Sequence, residues 1–308
     1  MHTKHDFLSL SDLTAAELSD LLELAVRLKQ EWRSGGNQPI LKNKTLGMVF
    51  TKPSLRTRVS FEMGMHHLGG QALYIAPDEI QLGKRESVAD VARVLSRYVD
   101  GIMARVFAHA DVVTLAKYSR VPVINGLSDY THPCQGLADL LTIMEHKGGV
   151  RGRTIVYVGD ANNVANSLVF GGMLLGAHVR IGAPEGYQLQ PDVAKRGAEF
   201  AAQSGGSLIQ VADPHAAVEG ADVVYTDVWT SMGQEAEAAQ RAKIFPPYQV
   251  NAALMALAKK DAVVMHCLPA HRGHEITDEV ADSMQSALWD QAENRMHAQK
   301  AILARLLA

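Results

Sequence analysis

Short runs of β-forming residues alternate with longer helical patterns along almost the whole chain of 308 residues. This alternation is typical of parallel sheets whose strands are joined by crossover helices, because parallel neighbours cannot be joined by a tight hairpin. The sequence therefore predicts an α/β fold in which parallel sheets are flanked by helices. The predicted strands are residues 45–50, 71–76, 101–106, 121–124, 154–159, 178–182, 207–211, 222–226 and 262–266.

The alternation is interrupted once, at Gly148-Gly149, and then restarts. Paired glycines commonly end a helix, and a chain of this length is long for a single hydrophobic core. We therefore predict two domains, with the active site in a cleft between them, because open parallel sheets bind ligands at the carboxyl ends of their strands. The predicted limits are 1–132 with a C-terminal helix over 295–308 for the first domain, 133–148 for a linking helix, and 149–294 for the second domain.

Composition excludes several classes of protein. Apolar residues make up 47% of the chain and charged residues 20%, with a formal net charge of −3. This balance lacks the broad basic face of a nucleic-acid binder, so any anion binding must be local. No stretch approaches the roughly 20 apolar residues of a membrane span, and the first residues lack a signal-peptide pattern. We expect a cytoplasmic protein with no membrane or nucleic-acid partner.

Only two cysteines occur, Cys134 and Cys267. Neither lies in a pair with the spacing of a metal site or a redox motif, so we expect no disulfide between them.

A candidate anion site lies in Ser54-Leu55-Arg56-Thr57-Arg58, between an apolar strand and a helical segment. At such a junction, backbone N–H groups and the positive end of the helix dipole point at one place. Guanidinium groups and hydroxyls add donors that match phosphate oxygens. The alternative interpretation is a solvated basic loop.

Two further strand ends carry polar groups. Arg105 follows the strand Gly101-Ile102-Met103-Ala104, and His132-Pro133-Cys134-Gln135 opens a predicted helix. His132 could donate to a developing oxyanion, with the amide of Gln135 one turn further on. The alternatives are a surface arginine, and a capping histidine followed by a buried cysteine.

In the second half, Gly159-Asp160-Ala161-Asn162-Asn163 follows the first strand. Its spacing is not that of a dinucleotide-binding glycine motif, and adjacent amides at a helix start suit a carboxylate ligand better. Simple helix capping is the alternative.

Two other segments of this half follow strands. Asp227-Val228-Trp229-Thr230-Ser231-Met232-Gly233 has a carboxylate that could hold an ammonium group, or it is a partly apolar loop without a ligand. In His266-Cys267-Leu268-Pro269 the thiol could be a nucleophile, a proton carrier or inert packing.

Taken in order, these motifs resemble the aspartate/ornithine carbamoyltransferase family, and within it the ornithine carbamoyltransferases. The resemblance extends over nearly the full length and includes Ala292-Glu293-Asn294-Arg295. It implies transfer of the carbamoyl group of carbamoyl phosphate to the δ-amine of L-ornithine, giving L-citrulline and phosphate. It also implies a homotrimer, or a multiple of trimers, and neither a metal nor an organic cofactor.

The resemblance assigns residues to both substrates. Arg105, His132, Asp227 and Cys267 are implied to be catalytic, and Gln81 to reach in from a neighbouring subunit. The implied carbamoyl phosphate ligands are Ser54, Leu55, Arg56, Thr57, Arg58, Gln81, Arg105, His132, Gln135 and Arg295. The implied ornithine ligands are Asn163, Asp227, Ser231, Met232, Cys267 and Leu268.

Three positions depart from the family pattern. Leu55 stands where many relatives have threonine, Thr51 where glutamate is common, and His274 where an acidic residue is frequent. Two rival hypotheses remain: a carbamoyltransferase for another amine, such as putrescine, aspartate or an N-acylated ornithine, and a non-catalytic subunit of the same family.

Overall fold

The computed structural model describes residues 5–230 and 234–308. Within them the strands are β1 (Thr45–Phe50), β2 (Gln71–Ile75), β3 (Gly101–Arg105), β4 (Val123–Leu127), β5 (Thr154–Val158), β6 (His178–Gly182), β7 (Ser207–Val211), β8 (Val223–Thr226) and β9 (Val263–His266). The α-helices are α1 (Ala15–Arg33), α2 (Leu55–His67), α3 (Pro77–Ile80), α4 (Val88–Leu95), α5 (His109–Tyr118), α6 (Pro133–Lys147), α7 (Asn163–Leu174), α8 (Pro191–Ser204), α9 (Pro214–Val218), α10 (Ala238–Ile244), α11 (Ala252–Met255), α12 (Asp278–Ala281) and α13 (Leu288–Leu307). Short 3-10 helices cover Leu10–Asp12, Glu235–Glu237 and Pro246–Tyr248.

The chain divides into two compact units. Unit 1 contains Met1–Leu141 and Asn294–Ala308, and unit 2 contains Thr142–Glu293. The prediction of two parallel sheets flanked by helices is confirmed, and all nine predicted strands are present.

Unit 1 is built on a four-stranded parallel sheet in the order β2-β1-β3-β4. Its central strands β1 and β3 are almost entirely buried, as expected when helices cover both faces of a parallel sheet. Side chains from β1, β3 and β4, such as Val49, Ile102 and Val123, form one core with Val112 and Leu115 of α5. The carboxyl ends of all four strands lie at the same edge of this sheet.

Unit 2 has a five-stranded parallel sheet in the order β7-β6-β5-β8-β9. Helix α7 is buried from Val164 to Leu174, as expected of a helix that is apolar on most sides, and its polar Asn166 and Ser167 are buried as well. The core below β5, β8 and β9 joins Val156, Val224 and Val264 to Phe245. Here too the parallel strands end at one edge.

Strand β4 differs most from its prediction, which was 121–124. Pro122 has no N–H group, and the Ser119 hydroxyl bonds to both backbone groups of Val121, so that the strand begins only at Val123. It continues through Gly126, where a Cβ atom would lie 2.5 Å from the Met103 sulfur. Glycine at that position therefore lets β4 pair closely with β3.

No helix in the described parts of the chain has the length and apolar character needed to cross a membrane.

Candidate active site

Three neighbouring strand ends of unit 1 supply most of the predicted anion ligands. Ser54 caps the start of α2 four residues after β1, Arg105 is the last residue of β3, and His132 directly precedes α6 after β4. Because β1, β3 and β4 are adjacent and parallel, their carboxyl ends bring these residues to one edge. The sheet order thus accounts for their proximity, although they are up to 78 positions apart in sequence.

The buried hydroxyl of Thr57 is the centre of this group. It accepts hydrogen bonds from Arg105 Nη1 at 3.3 Å and from Arg295 Nη2 at 3.1 Å, and the Ser54 hydroxyl lies 3.2 Å away. Arg295 Nη1 also donates to Gln135 Oε1 at 2.8 Å, and Gln135 donates in turn to Asp139 at 2.7 Å. Two buried guanidinium groups that meet at one oxygen repel each other, so that an anion placed beside them is strongly favoured.

The side chain of His132 is buried beside these positive charges. Its burial lowers the pKa well below the ordinary value for histidine, and the charges of Arg295 and Arg105 lower it further. The imidazole is therefore neutral at physiological pH, and either tautomer of a neutral imidazole carries one N–H donor.

Two predicted ligands lie away from this group. The guanidinium of Arg58 pairs with Glu62 at 2.9 Å and lies over the ring of Tyr74, 4.1 Å from its centre. Gln81 is exposed and donates to the carbonyl of Asp78. Because α2 already begins at Leu55, residues 56 and 58 lie on nearly opposite sides of the helix, as positions i and i+2 do.

The other residues of the first motif have less specific surroundings. Leu55 is 76% exposed at the first position of α2, and Arg56 is half-buried one residue later. Cys134 is fully buried, and its thiol donates to the carbonyl of Asn125. Burial raises the pKa of the Cys134 thiol to about 12, so this cysteine is inert packing.

In unit 2 the carboxylate of Asp227 is the centre of a second polar group. Its Oδ1 accepts from the Val228 N–H at 2.8 Å and from the Cys267 thiol at 3.0 Å, and its Oδ2 accepts from Asn162 Nδ2 at 2.8 Å. These three residues follow β8, β9 and β5, which are adjacent in the sheet. Asp227 is 6% exposed, and a buried carboxylate held in this way suits an ammonium group.

Asn162 was not among the predicted ligands, which included its neighbour Asn163. Asn162 caps α7, because its Oδ1 accepts from the Val164 and Ala165 N–H groups. The capping oxygen fixes the amide, and the amide nitrogen then points to Asp227. The rule that asparagine is favoured at a helix N-cap could have distinguished Asn162 from Asn163, the first residue of α7.

Negative charge is concentrated near Asp227. Burial raises the pKa of the Asp160 carboxyl, and the charge of Asp227 adds to this effect, whereas the guanidinium of Arg241 partly offsets it. Arg241 donates to Asp160 at 2.7 Å and to the carbonyl of Trp229 at 2.9 Å. The two carboxyls therefore lie close enough to influence each other.

The side chains of Asp227, His266 and Cys267 are close enough together for a metal ion, within 4.8 Å of one another. However, both ring nitrogens of His266 are already engaged, Nδ1 as acceptor from the Leu268 N–H at 2.9 Å and Nε2 with Glu275 at 3.0 Å. A metal would have to displace a buried hydrogen bond, so this triplet does not fit one well.

Leu268 follows the thiol in a left-handed backbone conformation, and His274 stacks on Trp229. The predicted ligands Ser231 and Met232 lie outside the described residues.

Comparisons with known proteins identify the family. Residues 5–145 match the carbamoyl-P binding domain of aspartate/ornithine carbamoyltransferases, and residues 151–306 match the Asp/Orn binding domain of the same family. The chain therefore belongs to the aspartate/ornithine carbamoyltransferase family.

Several similar proteins are named ornithine carbamoyltransferase. The chain is 58% identical to an ornithine carbamoyltransferase of Pyrococcus abyssi over 98% of its own length and 95% of the relative. It is also 58% identical to the anabolic ornithine carbamoyltransferase of Pyrococcus furiosus, over 98% of the chain and 96% of the relative. A solved structure of ornithine carbamoyltransferase from P. furiosus has a TM-score of 0.97 at 57% identity, covering 99% of this chain and 97% of the other.

Proposed function

We propose that this chain is a carbamoyltransferase that moves the carbamoyl group of carbamoyl phosphate to the δ-amine of L-ornithine, giving L-citrulline and phosphate. The observation that carries the proposal is the convergence of Arg105 and Arg295 on the buried Thr57 hydroxyl, beside a neutral His132. The names of relatives that are 58% identical over nearly the full chain support it. One of them is named anabolic, in agreement with citrulline formation as the working direction.

Unit 1 is proposed to bind carbamoyl phosphate. Ser54, Leu55, Arg56 and Thr57 form the first turn of α2 and its cap, where backbone N–H groups suit phosphate oxygens. Arg105 and Arg295 offset the charge of the leaving phosphate, and Gln135 is held beside them by Arg295. Arg58 is proposed from sequence alone, since its guanidinium lies over Tyr74.

The neutral imidazole of His132 is proposed to donate to the carbamoyl oxygen. As the amine attacks, negative charge grows on that oxygen, and a donor held in place stabilises it without reorganisation. Arg105 is proposed to donate to the same oxygen. A histidine kept neutral by burial and two arginines can donate at any pH at which the enzyme works.

Unit 2 is proposed to bind ornithine through Asn163, Asp227, Ser231, Met232, Cys267 and Leu268. The δ-amine has a pKa of about 10.4, as lysine has, so it must lose a proton before it can attack. We assign the steering of that proton to Asp227 and Cys267, whose carboxylate and thiol are already hydrogen-bonded. That both groups of residues act on one pair of reacting atoms is part of this proposal.

The reaction balances without a further reagent. A bond forms between the nitrogen of the neutral amine and the carbamoyl carbon, and the bond from that carbon to the phosphate oxygen breaks. The proton that the nitrogen gives up ends on the departing phosphate, which leaves as hydrogen phosphate. No electron transfer is involved, and carbamoyl phosphate is already activated. Holding both reactants in line can remove roughly 7 to 11 kcal/mol of the barrier.

The amine is tested with a colorimetric assay of ureido product. Carbamoyl phosphate is supplied with L-ornithine, putrescine, L-aspartate or N-acetylornithine in parallel. We expect product with ornithine at a rate far above the other three. Activity confined to another amine would overturn the choice of ornithine, and no activity with any amine would favour the non-catalytic subunit.

We also propose a homotrimer. Leu55, Val59 and Met63 lie at i, i+4 and i+8 of α2 and are exposed, next to exposed Leu73 of the edge strand β2. Such an apolar stripe on one helix face is suited to a second copy of the chain. Light scattering should give three times the 33.4 kDa mass of one chain, or a multiple of that, and Val59→Asp should lower it. A monomeric wild-type protein would refute the trimer.

A cytoplasmic location stays a prediction.

A further inference from the structure

A buried pair, His266 and Glu275, lies next to the contact between Asp227 and Cys267. Both members have side chains that are 0% exposed. Glu275 Oε1 accepts from His266 Nε2 at 3.0 Å and from the His271 N–H at 2.6 Å. The backbone N–H of His266 is also fixed, by Gln291 Oε1 at 2.9 Å. The proposed chemistry leaves this pair without a task.

The hydrogen bonds define which tautomer His266 adopts. The Leu268 N–H donates to Nδ1 at 2.9 Å, so Nδ1 carries no proton. Nε2 then carries the proton, and this N–H group donates a hydrogen bond to Glu275. If Glu275 were absent, the imidazole could take the other tautomer, and an Nδ1–H group would face the Leu268 N–H.

The bond from Leu268 supports an unusual backbone. Leu268 has a φ of +58°, in the left-handed region that residues with a Cβ rarely adopt. Such a residue persists only where its surroundings hold it. Cys267 lies between His266 and Leu268, and its thiol donates to Asp227 Oδ1 at 3.0 Å. The position of the thiol therefore depends on this turn.

We propose that Glu275 is a positioning residue: it fixes the tautomer of His266, which holds the turn at Leu268 and so keeps the Cys267 thiol against Asp227. The kinetic consequence rests on the proposed function, because it concerns the amine substrate, whereas the structural consequence does not. Glu275 itself touches neither Cys267 nor Asp227 in any described contact, so it acts through the imidazole.

The state of Glu275 makes a sharp test available. Burial raises the pKa of its carboxyl, but the bonds from His266 and His271 outweigh burial, so the pKa lies below its ordinary value and the group is ionised. Within residues 5–230 and 234–308, the other oxygen, Oε2, accepts no hydrogen bond. One oxygen therefore makes both contacts, and the amide oxygen of Glu275→Gln can replace it.

The first experiment measures alkylation of Cys267 by iodoacetamide, followed by peptide mass spectrometry, in the intact protein. Glu275→Ala should speed alkylation at least about threefold, since the thiol leaves its bond to Asp227, whereas Glu275→Gln should stay within about twofold of wild type. Asp222→Ala is the matched control, because Asp222 is also a buried carboxylate that accepts two bonds, at the opposite end of β8. The control should stay within about twofold of wild type as well. Equal alkylation in all variants, or an equal increase in Asp222→Ala, would overturn the proposal.

The second experiment remains informative even if Glu275→Ala fails to fold. Nitrogen NMR of labelled wild-type protein and of Glu275→Gln should show His266 with a protonated Nε2 and an unprotonated Nδ1. A protonated Nδ1 in the wild type would contradict the proposal. Neither this measurement nor alkylation needs turnover, so both remain valid if the amine is not ornithine.

The third experiment is kinetic. Glu275→Ala should raise the KM for ornithine about tenfold, because a small displacement of a positioned group has a large effect, and leave the KM for carbamoyl phosphate within about twofold. Glu275→Gln should have a KM for ornithine close to that of the wild type. A similar rise in both KM values would indicate general destabilisation and count against positioning.

Discussion

The polar groups of the two units use the same architecture with opposite charge. In unit 1 the end of β3 and helix α13 bring the guanidinium groups of Arg105 and Arg295 to the Thr57 hydroxyl, with a neutral histidine beside them. In unit 2 the ends of adjacent parallel strands surround the carboxylate of Asp227 with an amide, a thiol and a backbone N–H. In the proposed function each sheet edge binds one ligand, and the charge of the side chains favours an anion in unit 1 and an ammonium in unit 2.

A comparison within unit 1 shows why arginine suits a buried anion site better than lysine. Lys300, in the same unit, is also fully buried, with its ammonium 2.7 Å from Asn37 Oδ1 and 5.3 Å from the centre of the Trp32 ring. Burial lowers the pKa of Lys300 to about 8. A guanidinium keeps its charge when buried, whereas a lysine buried as Lys300 is begins to lose its proton near pH 8.

The largest expected effect concerns the positive group of unit 1, formed by Arg105 and Arg295 at the Thr57 hydroxyl. Arg105→Ala should lower kcat/KM for carbamoyl phosphate about 10³-fold, equivalent to about 4 kcal/mol, because the change removes the donor that we propose for both the leaving group and the developing oxyanion. Initial-rate kinetics of citrulline formation measure it. Arg93→Ala is the control, since Arg93 is an exposed arginine that pairs with Asp90.

Arg58 sharpens the same comparison. Its guanidinium lies over Tyr74 and pairs with Glu62, so Arg58→Ala should cost less than about tenfold in kcat/KM. A loss as large as that in Arg105→Ala would restore the sequence-based assignment of Arg58 to the phosphate. A loss as large in Arg93→Ala would remove the distinction on which the account of unit 1 depends.

The negative group of unit 2, the carboxylate of Asp227, should affect ornithine and not carbamoyl phosphate. Asp227→Asn should lower kcat/KM for ornithine about 10²-fold, or about 3 kcal/mol, because an amide cannot offset an ammonium charge. The KM for carbamoyl phosphate should not change. Asp213→Asn makes the same chemical change at an exposed helix cap and should leave both values unaltered. If Asp227→Asn impaired the carbamoyl phosphate KM equally, the two units would not have separate ligands.

A further expected effect is on stability. Lys300 has a pKa of about 8 in the fold and 10.5 as its ordinary value, so the unfolded chain binds the extra proton between these pH values. Its contribution to the free energy of unfolding therefore rises from pH 8 to 10.5, and below pH 8 the full penalty of the buried charge is present. Lys300→Met should remove this rise, about 2 kcal/mol. Urea denaturation of both proteins at pH 7.5 and 10 measures it, and parallel changes in the two would contradict the pKa assignment.

Much of the fold could be predicted because its cause is local. Strands such as residues 178–182 and 207–211 have the predicted bounds, since alternation and apolar runs are readable along the chain. Strand β4 could not be placed as well, because its limits depend on a serine that bonds Val121 and on the space beside Met103. The serine bond is local but gives no periodic signal in the sequence, and the contact with Met103 comes from the tertiary structure.

Site residues, too, could be predicted only where their placement has a local cause. Arg105 and His132 could be predicted from sequence because Arg105 ends β3 and His132 lies between β4 and α6, and the carboxyl ends of parallel strands bind ligands. Arg58 lies on the side of α2 nearly opposite to Arg56. This placement depends on where α2 begins, which sequence gives only within a few residues. Glu275 carries no signal of its own, because its contact with His266 is formed through an irregular segment whose path is not encoded in a periodic pattern.

Isothermal titration of carbamoyl phosphate into the wild type, Arg105→Ala and Asp227→Asn tests the division of charge between the two units most directly. Asp227→Asn should bind carbamoyl phosphate as the wild type does, whereas Arg105→Ala should lose affinity by about 100-fold or more. Unchanged affinity in Arg105→Ala, or an equal loss in Asp227→Asn, would contradict this division of charge.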